Sequence, residues 1–159
     1  MNPAVEVVDQ VGLPGSEQPL GELVRAVLQA ERADGELVVA LVDEETITEL
    51  NGRYRGLDEP TDVLSFRSPE ETGDWPRTPG DEATGELIVC PAVVARYALE
   101  DGRSGSLQLS WTLIHGVLHL LGYDHETDQG EMRDREQALL RALEPLARAL
   151  PTLAENGKP

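Results

Sequence analysis

Leu20, Leu23, Val24, Val27 and Leu28 recur at the spacing of one helix face, which predicts an amphipathic helix from Leu20 to Arg32. Ahead of it, Val5–Val8 alternates weakly and reads as a first strand. Glu36–Val42 (ELVVALV) follows Asp34-Gly35 as a short apolar run rich in β-branched residues, the pattern of a buried strand. Asp43 then reads as the N-cap of a helix that holds Thr46, Ile47 and Leu50 and fades near Gly52. Asp62–Phe66 (DVLSF) is a further strand, with Asp62, Leu64 and Phe66 on one face and Val63 and Ser65 on the other. On this reading Asp62 caps a turn, Phe66 packs in the core and Ser65 lines a cleft. Arg67 to Thr84 is loaded with Pro, Gly and acid, which predicts a long loop.

Gly85–Cys90 is another strand, and Pro91 opens a helix that runs through Leu99. Ser106 to Leu121 is strongly apolar at helical spacing, and Gly122 stops it. A last helix is expected from Gln129 to Leu150, bent at Pro145, with Met132 on its face. This order predicts an α+β fold: a small mixed β-sheet with helices packed against it. Residues 1–150 are expected to form a single domain, and residues 151–159 a frayed tail.

Composition narrows the setting. A chain of 159 residues with 40% apolar content can bury a sizeable core, and no apolar run approaches the length of a membrane span. The N-terminus carries no secretory pattern, and the single Cys90 forms no internal disulfide, so a cytoplasmic protein is expected. Charge complicates any nucleic-acid role: 13 basic against 30 acidic side chains give 13 − 30 = −17. A polyanion would be repelled by the molecule as a whole, so RNA binding requires a local basic cleft or a protein partner.

All three histidines fall within His115-Gly-Val-Leu-His119-Leu-Leu-Gly-Tyr-Asp-His125. His115 and His119, four apart, emerge from one helix face one turn above the other. A glycine turn at Gly122 can swing His125 back toward them. Three imidazoles then occupy three corners of a tetrahedron, with the fourth open, as in catalytic zinc sites where water is acidified. One zinc ion per chain is expected, with Asp124 as a candidate group orienting a ligand ring. Metzincin proteases share the spacing but carry a general-base Glu where this chain has Gly116, which disfavours peptide hydrolysis by that route.

The segment HGVLHLLGYDH resembles the signature of the YbeY family of bacterial rRNA maturation endoribonucleases. Asn51–Phe66 (NGRYRGLDEPTDVLSF) resembles the family's N-x-x-[FY]-R-x-x-x-x-P-T-D-V-L-S-F segment, and Thr84–Val89 its G-D-I strand. Here the strand's acid is Glu86, and the position four before the first histidine, often histidine in the family, is Trp111. The resemblance implies a zinc-dependent, single-strand-specific endoribonuclease. Its expected role is 16S rRNA 3′-end maturation and ribosome quality control, in association with the small ribosomal subunit. By position it makes His115, His119 and His125 metal ligands and Arg55 a catalytic residue. A guanidinium suits that role because its planar fork matches phosphate oxygens and its charge persists at any working pH.

Three function classes follow. The first is phosphodiester hydrolysis in rRNA, aided by a ribosomal protein or assembly factor, with no membrane and no DNA partner. The sequence assigns no general base: Asp124 and Glu86 are candidates, and a zinc-bound hydroxide would need none. A basic cleft would draw on Arg53, Arg55, Arg67, Arg77, Arg96 and Arg103. The second is a non-catalytic ribosome-assembly factor with a structural metal. The third is a metallohydrolase of another substrate.

Overall fold

The computed structural model describes residues 3–67, 84–124, 126–151 and 153, with the side chains of Arg67 and Thr84 left aside. Four strands form one sheet in the order β1-β2-β4-β3. β1 (Ala4–Asp9), β2 (Glu36–Leu41) and β4 (Thr84–Val89) run parallel, and β3 (Val63–Arg67) pairs antiparallel on the β4 edge. The mixed sheet and the helices around it are the expected α+β fold. β2 lies between two parallel neighbours and is apolar on both faces, which is why its sequence is a continuous run rather than an alternation.

The larger core lies on one face of the sheet. Leu37, Val39, Leu41, Leu87 and Val63 meet α1 (Glu17–Ala30) and α4 (Gly105–Leu120) there. On the other face Ala40, Leu64 and Ile88 pack with Ile47 of α2 (Glu44–Arg55) and Val93 of α3 (Pro91–Asp101). Strand alternation assigns each residue to its face. α4 comes very close to the strands at Gly116, where an added Cβ would lie 2.9 Å from Leu87 Cδ2 and 3.3 Å from Val63 Cγ2. The Ser65 hydroxyl donates to the Gly116 carbonyl (3.2 Å), so the helix is pinned to β3 at the same point.

Two helices end differently from expectation. α2 does not fade at Gly52 but continues to Arg55 and ends on Gly56, whose φ of 73° allows the left-handed stop. Its start is as expected, with Asp43 accepting from the Thr46 N–H at 2.8 Å. The last helix is not one bent rod. It divides at Leu143 (φ −107°) into α5 (Glu131–Ala142) and α6 (Glu144–Arg148), because Pro145 lacks the N–H a continuous helix needs there. Met132 of α5 is fully buried in the larger core. Leu153 packs against Gly105 at the start of α4, while Thr152 and residues 154–159 lie outside the described residues.

The expected loop is outside them as well, over 68–83, although its ends Arg67 and Thr84 both lie in strands. Among the described residues no helix is long and apolar enough to cross a membrane.

Candidate metal centre

α4 carries Trp111, His115 and His119 at successive four-residue steps, so all three rings share one face. The His115 and His119 rings are 5.6 Å apart, and Trp111 stacks on His115 at 4.9 Å with its plane 26° away. These rings line a cleft whose other walls include Arg55, Asp62 and Ser65. A neighbouring hollow of about 300 Å³ shares Arg55, Ser65 and His119 and extends to Gly122, Tyr123 and Asp124.

α4 ends as the glycine predicted. Gly122 has φ 102°, its N–H bonds the His119 carbonyl (3.1 Å), and the Tyr123 N–H bonds the Leu118 carbonyl (3.1 Å). This is the paired closure of a Schellman turn. The turn presents the Tyr123 carbonyl to the His119 ring, whose Nδ1 lies 2.9 Å from it. A carbonyl only accepts, so Nδ1 carries the proton, and in the neutral ring the lone pair is on Nε2. His115 reaches the same state by another route. Its Nδ1 lies 2.6 Å from Oε2 of Glu136, a buried side chain of α5. Both rings are thus fixed in the tautomer that offers Nε2 to a metal, and both have the outer partner that metal-binding imidazoles regularly show.

His125 lies outside the described residues. Among the described residues no group of three or more His, Cys, Asp and Glu side chains is arranged to hold a metal ion.

Sequence reasoning missed Glu136. It occupies the buried stripe Met132-Glu136-Leu139 of α5, and a lone carboxylate at an apolar position was the available signal. Asp124 was a candidate orienting group. Its Oδ1 accepts from the Glu126 N–H (3.0 Å), and Glu136 and the Tyr123 carbonyl hold His115 and His119, while any contact with His125 lies outside the described residues. Glu86 is excluded as a general base by strand geometry. It sits between Gly85 and Leu87, which face α4, and so points away from the histidine helix, exposed on the opposite side.

Asp62 was expected on the face of Leu64 and Phe66, but β3 begins only at Val63, so strand alternation does not govern Asp62 and it faces the cleft with Ser65. Burial raises its carboxyl above the ordinary carboxylate range, against hydrogen bonds from Val63 and Thr61. Phe66 packs on the far face in an edge contact with Tyr54 (5.1 Å), as its strand position predicts.

The expected basic cleft is not assembled as drawn. Arg55, in the last turn of α2, reaches the cleft and forms no ion pair among the described residues. Arg53 points elsewhere on the helix and pairs with Glu49 at 2.8 Å, while Arg96 pairs with Glu44. Arg103 is exposed beyond α3, and Arg77 and the Arg67 side chain lie outside the described residues.

The family model Endoribonuclease YbeY matches residues 10–144. The Endoribonuclease YbeY of Moorella thermoacetica is 40% identical over 141 residues, covering 82% of this chain and 90% of that protein. The namesake from Halorhodospira halophila is 44% identical over 135 residues, covering 81% and 86%. A solution structure of a Thermotoga maritima protein superposes with a TM-score of 0.62 at 31% identity, covering 91% of this chain and 92% of that one. The match runs from the end of β1 into the start of α6 and takes in the whole cleft; the chain belongs to the YbeY endoribonuclease family.

Proposed function

We propose that this chain is a cytoplasmic, zinc-dependent endoribonuclease that cleaves single-stranded RNA. Its substrate on this reading is the 3′ end of 16S rRNA in the small ribosomal subunit, and its wider role is ribosome quality control. The observation that carries the reading is the pair of imidazoles on α4, each held through Nδ1 by an acceptor, in a cleft that also receives the Arg55 guanidinium.

The donor set fits zinc. Two neutral nitrogens present their Nε2 lone pairs from one helix face, and His125 completes the proposed set of three ligands. When bound, such an ion supplies Lewis acidity toward a phosphoryl oxygen and makes a water acidic enough to react near neutral pH.

The chain's own residues divide the remaining work. Arg55 binds the scissile phosphate through its fork of donors and offsets charge that develops on the oxygens. Glu136 and the Tyr123 carbonyl keep the two rings from rotating. The Ser65 hydroxyl is engaged with the Gly116 carbonyl, which suits a structural part in the cleft rather than a nucleophile's. Asp62, its carboxyl raised by burial, is the cleft group suited to hold a proton beside His115.

The larger core closes on its own aliphatic side chains, which favours a catalytic metal over a structural one. With a net charge of −17, action inside a ribosomal particle, beside a ribosomal protein or assembly factor, is favoured over tight binding to naked RNA. The test is metal content and cleavage of single-stranded RNA by untagged protein beside His119→Ala. About one zinc per chain and cleavage, both lost in the variant, is the expected result. Cleavage that survives in a metal-free variant would sink the reading.

A further inference from the structure

Glu31 caps the C-terminal end of α1, and its carboxylate is nearly withdrawn from solvent, with 8% of the side chain exposed. Oε1 accepts from the Tyr123 hydroxyl at 2.8 Å. Oε2 accepts from Arg135 Nε at 2.6 Å and pairs with the same guanidinium through Nη2. One side chain therefore joins three distant parts of the chain: the end of α1, the turn after α4 and the middle of α5.

Each partner of Glu31 leads to one of the histidines. Tyr123 is the residue whose carbonyl holds His119, so anchoring its ring at the hydroxyl restrains the peptide group that orients the imidazole. Arg135 immediately precedes Glu136. Consecutive helical side chains diverge by about 100°, so Arg135 reaches toward α1 while Glu136 reaches toward α4. Holding Arg135 fixes the rotation of α5 about its axis, and with it the carboxylate that meets His115.

Glu31 is itself held firmly. Its N–H bonds the Val27 carbonyl (3.0 Å), and the chain turns at Arg32 with φ 55°, a left-handed conformation that non-glycine residues rarely adopt.

We propose that Glu31 is a positioning residue of the metal site, setting both imidazoles at once through Tyr123 and Arg135. The inference rests on the reading of His115 and His119 as metal ligands. A buried ion pair that served the fold alone would change melting temperature and nothing at the rings.

The experiment measures zinc affinity of the full chain by competition with a chromophoric chelator, for wild type, Glu31→Ala, Glu31→Gln and Tyr123→Phe. Imidazole 15N spectra of the metal-free proteins are recorded alongside. Glu31→Ala is expected to weaken zinc binding roughly tenfold, within the range of outer-shell losses. Tyr123→Phe and Glu31→Gln, which each remove part of the cluster, should weaken it less. Wild-type His119 is expected in the Nδ1–H tautomer, and in the metal-free Glu31→Ala protein it should leave that tautomer in part.

A lowered melting temperature with unchanged zinc affinity and unchanged tautomer overturns the positioning role. If Glu31→Ala does not fold, Tyr123→Phe decides in the same way. Wild-type protein that takes up no zinc defeats the metal reading instead, and the imidazole spectra then decide the role of Glu31 by themselves.

Discussion

His115 and His119 stand one turn apart on α4, yet the acceptors that orient them have different origins. His119 is held by the carbonyl of Tyr123, four residues on, delivered by the turn at Gly122. His115 is held by Glu136, twenty-one residues on and on a separate helix. The first arrangement is made by backbone conformation and exists as soon as α4 and its cap form. The second exists only once α5 has docked. The local support depends on packing only through the hydroxyl of Tyr123, which Glu31 holds, whereas the remote one transmits any shift of α5 straight to the ring.

That difference can be probed in order of expected effect. Glu136→Ala removes the remote acceptor outright, and zinc affinity should fall about 10- to 100-fold in a chelator competition. Gly122→Ala attacks the local one by forcing a side chain into φ 102°. Stability should fall by about 1–2 kcal/mol in chemical denaturation, with a smaller loss of zinc affinity than Glu136→Ala causes. The reverse ranking would mean that the turn, not the docked helix, governs the site.

Arg32→Gly acts at the end of α1, where the same turn is built without glycine. Arg32 and Ala33 N–H groups bond the Gln29 and Leu28 carbonyls, the pattern seen at Gly122. Relief of the left-handed arginine, about 1–2 kcal/mol less about 0.5–1 kcal/mol for glycine's extra freedom when unfolded, should raise stability by about 0.5–1 kcal/mol, and unchanged stability would show that the turn carries little strain.

Asp62→Asn touches the His115 side alone, and its effect depends on pH. Burial raises the folded carboxyl above its unfolded value, so the fold binds that proton more readily than the unfolded chain. Ionised Asp62 therefore subtracts stability, beginning as pH rises through the ordinary carboxylate range and in full above the raised folded value. The variant should melt higher than wild type at neutral pH, without metal, and lose that advantage in acid. An advantage that persisted in acid would assign the effect to packing rather than charge.

What the sequence made legible follows the same division. The shared face of His115 and His119, the stop at Gly122, the cap at Asp43 and the buried strand at Glu36 are all local patterns, and all were found. The mixed sheet followed from their order. The partners of the rings were not legible, because Glu136, Glu31 and Arg135 meet the site only through helix docking. Arg53 and Arg96 do not join Arg55 in the cleft, for a related reason. Arg53 and Arg55 are two positions apart on one helix and so point different ways, which a list of basic residues does not encode. The break at Leu143 was half visible: Pro145 marked the place, but a bend and a break look alike until the neighbouring helices are in position.

Gly116 has a consequence for how such a hydrolase can change. In the metzincin pattern that position carries the general-base glutamate, which a single codon change can supply. Here an added Cβ meets Leu87 at 2.9 Å and Val63 at 3.3 Å, both buried, while the residue's own carbonyl already receives Ser65. Acquiring the glutamate would require the buried Leu87 and Val63 side chains to give way or α4 to lift off the sheet, and in the second case the rings it carries would move with it. The boundary between these two chemistries is therefore enforced by sterics beneath the helix, and adaptive paths toward peptide cleavage must first rebuild the floor of the site.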